Sequence, residues 1–116
     1  MTSRNFDVGG VEDFADGVPK LVCVNAREVV VVKWRTGLFA LRNVCPHQSQ
    51  RLHTGTVRRE VTASVDGELA FGEPVLVCPW HNWPFALRTG HCTVDPHKRV
   101  RSFEVRVERG RVIVCA

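Results

Sequence analysis

Two short segments carry the residues that could do chemistry: Cys45-Pro46-His47 and Cys78-Pro79-Trp80-His81. Each offers one thiolate and one imidazole, ligand types that soft and borderline transition metals prefer. Each follows a strand-forming run and sets proline directly after the cysteine. Proline fixes φ and has no N–H, so the chain bends tightly there without leaving a donor unpaired. Two such loops can meet tip to tip and share a metal centre. Zinc is one candidate, since two cysteines and two histidines can bind it tetrahedrally. Classical fingers, however, space a pair of cysteines and then a pair of histidines, whereas here each loop holds one of each kind. Zinc, a d¹⁰ ion, would leave the protein colourless, so colour tests for it.

The elements that must position these loops read as short strands. Leu21 to Val24, Val29 to Trp34 and Leu38 to Leu41 are rich in β-branched and apolar residues, with turns expected at Asn25-Ala26 and Thr36-Gly37. Asp66-Gly67, between Val61 to Val65 and Glu68 to Phe71, predicts a hairpin with a type I′ turn. Pro74 to Val77 leads into the second loop. Phe103, Val105 and Val107 alternate with charged residues, Arg109-Gly110 turns the chain, and Val112 to Val114 return it. Cys23 and Cys115, in apolar strand contexts, are expected to be buried filler. A short helical turn is expected near Val11 to Asp16. The fold class is all-β with antiparallel pairing, in a single domain over 1–116.

Bulk properties narrow the function. Hydrophobic residues at 44% and charged residues at 24% match globular proteins, which argues against wholesale disorder. A net charge of +4, without a basic run interleaved with aromatics, does not point to nucleic acid. No apolar stretch is long enough for a membrane helix, and the first residues lack the apolar centre of a secretion signal. A cytoplasmic location is expected. Five cysteines, an odd number, favour metal ligation or free thiols over a disulfide framework. Lys98, Arg99, Arg101, Arg106, Arg109 and Arg111 crowd the end of the chain, as a solvated strand face or as a rim that steers an acidic redox partner.

Asn43-Val-Cys-Pro-His47 and Val77-Cys-Pro-Trp-His81, followed by Trp83, Phe85 and Arg88-Thr-Gly90, resemble the cluster-binding loops of Rieske ferredoxins and of the Rieske domains of ring-hydroxylating oxygenases. The resemblance implies an antiparallel β-sandwich or barrel base with a cluster-binding subdomain of two loops, here approximately 43–90. It implies one Rieske-type [2Fe-2S] cluster, with Cys45 and Cys78 on one iron and His47 and His81 on the other. Neutral imidazoles in place of two thiolates remove negative charge, so an electron is added more easily, at roughly −150 to +300 mV against roughly −400 mV for plant-type clusters. The histidine-bound iron would be the one reduced, with its imidazoles near the surface.

Departures from the family pattern are local. Thirty residues (48–77) separate His47 from Cys78, longer than the common spacing, and the Asp66-Gly67 hairpin absorbs the excess. Gln48-Ser49 and Asn82 stand where glycines are frequent; Asn82 tolerates left-handed backbone. Gln50 and Trp80 occupy the positions of a disulfide in high-potential relatives, so that bond cannot form. Trp83 and Phe85 replace a serine and a tyrosine that donate hydroxyls to the cluster sulfurs there. Fewer such bonds leave the sulfurs electron-rich, and a potential near about −150 mV is expected.

The remaining candidates have plainer readings. His53 reads as a solvated loop residue and His91-Cys92 as no metal site. Pro96 resembles the proline of a loop that covers the cluster, with a simple turn as the alternative, and His97 reads as a surface residue. Trp34 is expected to pack, and Trp80 and Trp83 to form a dry collar around the loops. The expected function is one-electron transfer by a ferredoxin, monomeric when free. It would pass electrons from a flavin-dependent NAD(P)H reductase to a terminal oxygenase, with no catalytic site of its own. The alternatives are a small Rieske subunit of a larger redox enzyme, like that of nitrite reductase, and a redox sensor.

Overall fold

The computed structural model describes residues 4–35, 37–46, 51–63, 66–80 and 82–116, with backbone alone for 61–63 and 69–71. Among them the strands are β1 (Asn5–Gly10), β2 (Lys20–Val24), β3 (Arg27–Trp34), β4 (Gly37–Arg42), β5 (Thr56–Ala63), β6 (Leu69–Val77), β7 (Pro84–Ala86), β8 (Ser102–Glu108) and β9 (Arg111–Cys115). Two 3₁₀ turns, Val11–Asp13 and Leu52–Thr54, are the only helical segments among the described residues. All strand pairings are antiparallel.

A six-stranded sheet, ordered β1-β9-β8-β4-β3-β2, is the base, and it curls until β1 approaches β2 as a near-barrel. A three-stranded sheet, β5-β6-β7, carries the second loop between β6 and β7. The run Val29 to Val32 explains how the two join. Strand side chains alternate sides, and here both sides are covered. Val29 and Val31 enter a core inside the curled sheet with Phe14, Phe103, Val112 and Val114. Val30 and Val32 enter a second core with Leu41, Leu52, Leu76 and Phe85, which ties the base to the small sheet.

The turns test the local chemistry. Asn25 and Ala26 take φ of 52° and 62°, and Arg109 and Gly110 take 49° and 76°, as tight hairpins require. The β3–β4 turn falls one residue earlier than expected. Trp34 pairs with Gly37, Arg35 takes φ 58°, and Thr36 lies outside the described residues. The Asp66-Gly67 hairpin is present but wider than a two-residue turn. Ala63 pairs with Leu69, so the loop spans 64–68, with 64 and 65 outside the described residues. Gly67 has φ 83° and Asp66 does not cross to positive φ.

β1 was not expected, although Phe6 and Val8 alternate with Asn5 and Asp7; it pairs along β9 and packs on the curled-sheet core. Cys23 is exposed, contrary to its apolar context, because β2 is an edge strand whose Val22 and Val24 take the core side. Cys115 is only partly buried, its sulfur 3.3 Å from Arg106 Nη1 and 3.2 Å from Asn5 Oδ1.

Candidate metal centre

Cys45 follows β4 by three residues and Cys78 follows β6 directly; both are fully buried in the core that joins the two sheets. The second loop is closed at its base, where the Cys78 N–H donates to the Trp83 carbonyl at 2.8 Å. Asn82 turns that loop at φ 56°, the left-handed conformation its side chain tolerates. His47, Gln48, Ser49, Gln50 and His81 lie outside the described residues.

The electrostatics of the two sulfurs fit a bound cation. Burial pushes the Cys78 thiol up to about 11; the Trp80 backbone N–H opposes this by donating to the sulfur, and the neighbouring Cys45 thiol adds to the rise. Two buried thiolates side by side repel each other and are poorly solvated. Positive metal charge removes both penalties, and a coordinating thiol is deprotonated outright. The donor set and its burial therefore suit an iron–sulfur centre.

The first loop is held by a brace that sequence reasoning missed. Asn43, two residues before Cys45, is the only fully buried polar residue among those described. Its backbone N–H donates to the Glu28 carbonyl at 3.1 Å. Its side-chain amide donates to Glu28 Oε1 at 3.2 Å and lies 2.8 Å from His53 Nδ1, which accepts. Asn43 Oδ1 accepts the His53 backbone N–H at 2.7 Å. Arg51 completes the brace with a forked pair to Glu28, Nε to Oε1 at 2.9 Å, and holds the Glu28 carboxyl below its usual range. His53 is thus half-buried and structural, not a solvated loop residue. No local signal marks this network, because its members come from β3, the end of β4 and the 3₁₀ turn.

Truncation of Asn43 tests the brace. Asn43→Ala leaves the His53 N–H without its partner inside the protein, a penalty of about 1–3 kcal/mol. The expected outcome is a melting temperature lower by roughly 5–10 °C, with reduced iron retention on dilution. Unchanged melting and iron content would show that the brace is not needed.

The other candidates fall into place. Cys92 is buried beside Phe85 in the same core, and His91 is exposed with its ring against Thr89 Oγ1. Pro96 and His97 are exposed in a turn capped by Asp95, whose carboxylate accepts the His97 N–H at 3.0 Å. Trp34 and Trp83 pack on the core, but Trp80 stays 51% exposed, so the expected collar is half formed. Phe85 is fully buried and offers no hydroxyl.

The basic end of the chain does not form one rim. Arg106 pairs with Glu108 at 2.7 Å and Arg111 with Asp7 at 3.0 Å, away from the loops. Arg99 and Arg101 instead join Arg42 beside the first loop.

Comparison with known proteins agrees with this geometry. A family model for the Rieske [2Fe-2S] domain matches residues 4–104. The ferredoxin component of the alkene monooxygenase system of Xanthobacter autotrophicus is 32% identical over 108 residues, covering 93% of this chain and 78% of that protein. A candidate small subunit of NADH-dependent nitrite reductase from Mycobacterium tuberculosis has the same fold, with TM-score 0.82 at 21% identity over 100% of this chain and 97% of that one. A complex of reduced oxygenase and oxidized ferredoxin in carbazole 1,9a-dioxygenase contains a chain with TM-score 0.73 and 26% identity, covering 96% of this chain and 92% of that one.

Proposed function

The chain belongs to the Rieske [2Fe-2S] domain family, and on that premise we propose that it is an oxygenase ferredoxin whose cluster is held by Cys45, His47, Cys78 and His81. The observation that carries this reading is the meeting of Cys45 and Cys78, buried together on loops from the two sheets. When bound, the cluster takes up and releases one electron at a time.

The chain's own residues supply the setting. Cys45 and Cys78 hold one side as thiolates in a dry core, and the Trp80 N–H stabilises the Cys78 sulfur. His47 and His81 are assigned to the other side, and the Asn43 brace fixes the entry to the first loop. The residues from about 43 to 90 act as a cluster-binding subdomain of one domain over 1–116. The 32% identical relative, the ferredoxin component of an alkene monooxygenase system, supports an oxygenase as the electron acceptor, and a flavin-dependent NAD(P)H reductase is the donor we propose. The likeness to the nitrite reductase subunit, at 21% identity, carries the fold alone. The described residues contain no helix long and apolar enough to cross a membrane.

A redox titration followed by EPR tests the reading. The reduced protein should give a Rieske-type spectrum, with a midpoint near about −150 mV because neither Trp83 nor Phe85 supplies a hydroxyl. It should also pass electrons from a flavin-dependent NAD(P)H reductase to a monooxygenase or dioxygenase. A midpoint above zero removes the argument from missing hydroxyls, and a colourless, EPR-silent protein after anaerobic reconstitution removes the function.

A further inference from the structure

The first cluster loop borders an open groove of about 550 Å³ whose lining includes Arg42, Val44, Pro46, Arg99, Arg101 and Ser102. Its charge is built by backbone pairing across strand ends. The Arg42 N–H donates to the Arg101 carbonyl at 2.8 Å, which brings the end of β4 beside the approach to β8. All three arginines are exposed. Arg51, Arg58, Arg88, Arg106 and Arg111 are each matched by a carboxylate. Among the described residues Arg42, Arg99 and Arg101 form no ion pair. Arg101 lies over the Phe103 ring at 5.0 Å, which restrains its guanidinium.

The floor is apolar. Val44 is 37% exposed and Pro46 is also exposed; these two residues flank Cys45. Trp80, on the loop that holds Cys78, is a further half-exposed ring. An apolar centre with unmatched charge around it is the anatomy of a transient docking face, where charge governs encounter rate and orientation. Three cations held together without counter-charges repel one another, and a carboxylate-bearing partner relieves that repulsion on contact.

We propose that this groove is the docking site for the acidic face of a redox-partner protein, which places that partner against the loop holding Cys45. The inference rests on the electron-carrier reading above and adds the sign of the partner's charge and the three residues that read it. In the transfer itself, one electron leaves the reduced protein and the partner's acceptor centre gains it; no bond or proton need change.

The test uses two haem proteins of opposite charge as acceptors, cytochrome b5 (acidic) and cytochrome c (basic), each reduced from Fe(III) to Fe(II) by the pre-reduced holoprotein in stopped flow. At low salt, R42E/R99E/R101E should slow reduction of cytochrome b5 by about tenfold or more and speed that of cytochrome c, with both differences shrinking as salt rises. The triple lysine variant should keep the wild-type preference. Arg109→Glu, at the distant β8–β9 turn, should change neither rate by more than about twofold.

Iron content and EPR are measured on every protein, so loss of the cluster is read as failure of the function and not of the groove. With cluster present, an unchanged cytochrome b5 rate in the triple glutamate variant overturns the proposal, as does an equal effect of Arg109→Glu. Inhibition by inorganic phosphate at constant ionic strength, as strong as the triple reversal, marks a small-anion site and also overturns it.

Discussion

Cys45→Ala and Cys78→Ala should each yield protein without iron, acid-labile sulfide or visible colour, while Cys92→Ala keeps all three. The comparison is sharp because all three cysteines are buried in one core, so burial cannot explain a difference among them. Removing either proposed ligand takes away a metal–sulfur bond and a negative charge that the irons need. Removing Cys92 takes away one sulfur atom packed near Phe85, at a cost of about 1 kcal/mol. Because metal binding is coupled to folding, the two ligand variants should also melt lower than the parent. His47→Ala and His81→Ala should follow the ligand pattern. Retention of iron and colour by Cys78→Ala would move the assignment to another residue set, and colour lost in Cys92→Ala would add a role that packing does not explain.

The four proposed ligands and most hairpins were legible because their signals are local. A cysteine, a proline and a histidine within four residues need no knowledge of the rest of the chain. Asn25-Ala26 and Arg109-Gly110 announce turns through residues that accept positive φ or punctuate a strand pattern. Errors arose where the deciding term was register or distant contact. The β3–β4 turn slipped by one residue because pairing of Trp34 with Gly37 outweighed the preference for glycine inside the turn. Cys23 read as buried because its neighbours are apolar, but the exposure of an edge strand depends on sheet order. His53 and Asn43 are ten residues apart, and Glu28 is farther still, so their brace exists only in three dimensions. Arg42 was overlooked for the same reason: its partners in the groove, Arg99 and Arg101, arrive from the far end of the sequence.

Gly55→Ala should be among the most damaging single substitutions outside the ligands, with stability lowered by about 3 kcal/mol or more and the melting temperature by more than roughly 10 °C. Gly55 has φ −81°, so a left-handed backbone is not the reason. The reason is space. A β-carbon there would lie 2.0 Å from the Val77 carbonyl oxygen and 3.1 Å from that of Leu52. Both are backbone atoms, and Val77 pairs with Thr56 on one side and Pro84 on the other, so it cannot retreat without opening the ladder. Val77 immediately precedes Cys78, and Leu52 belongs to the turn that carries His53. The collision would therefore push apart the segment returning from the first loop and the base of the second, which must stay in contact for Cys45 and Cys78 to meet. Gly67→Ala is the control. Its added β-carbon meets nothing within 4 Å among the described residues, and the strain of φ 83° alone should cost about 1 kcal/mol without loss of iron. Thermal melts and iron assays on the two variants separate the cases. Equal, small effects would mean that the loops can part and still hold the cluster, which is incompatible with a centre shared between them.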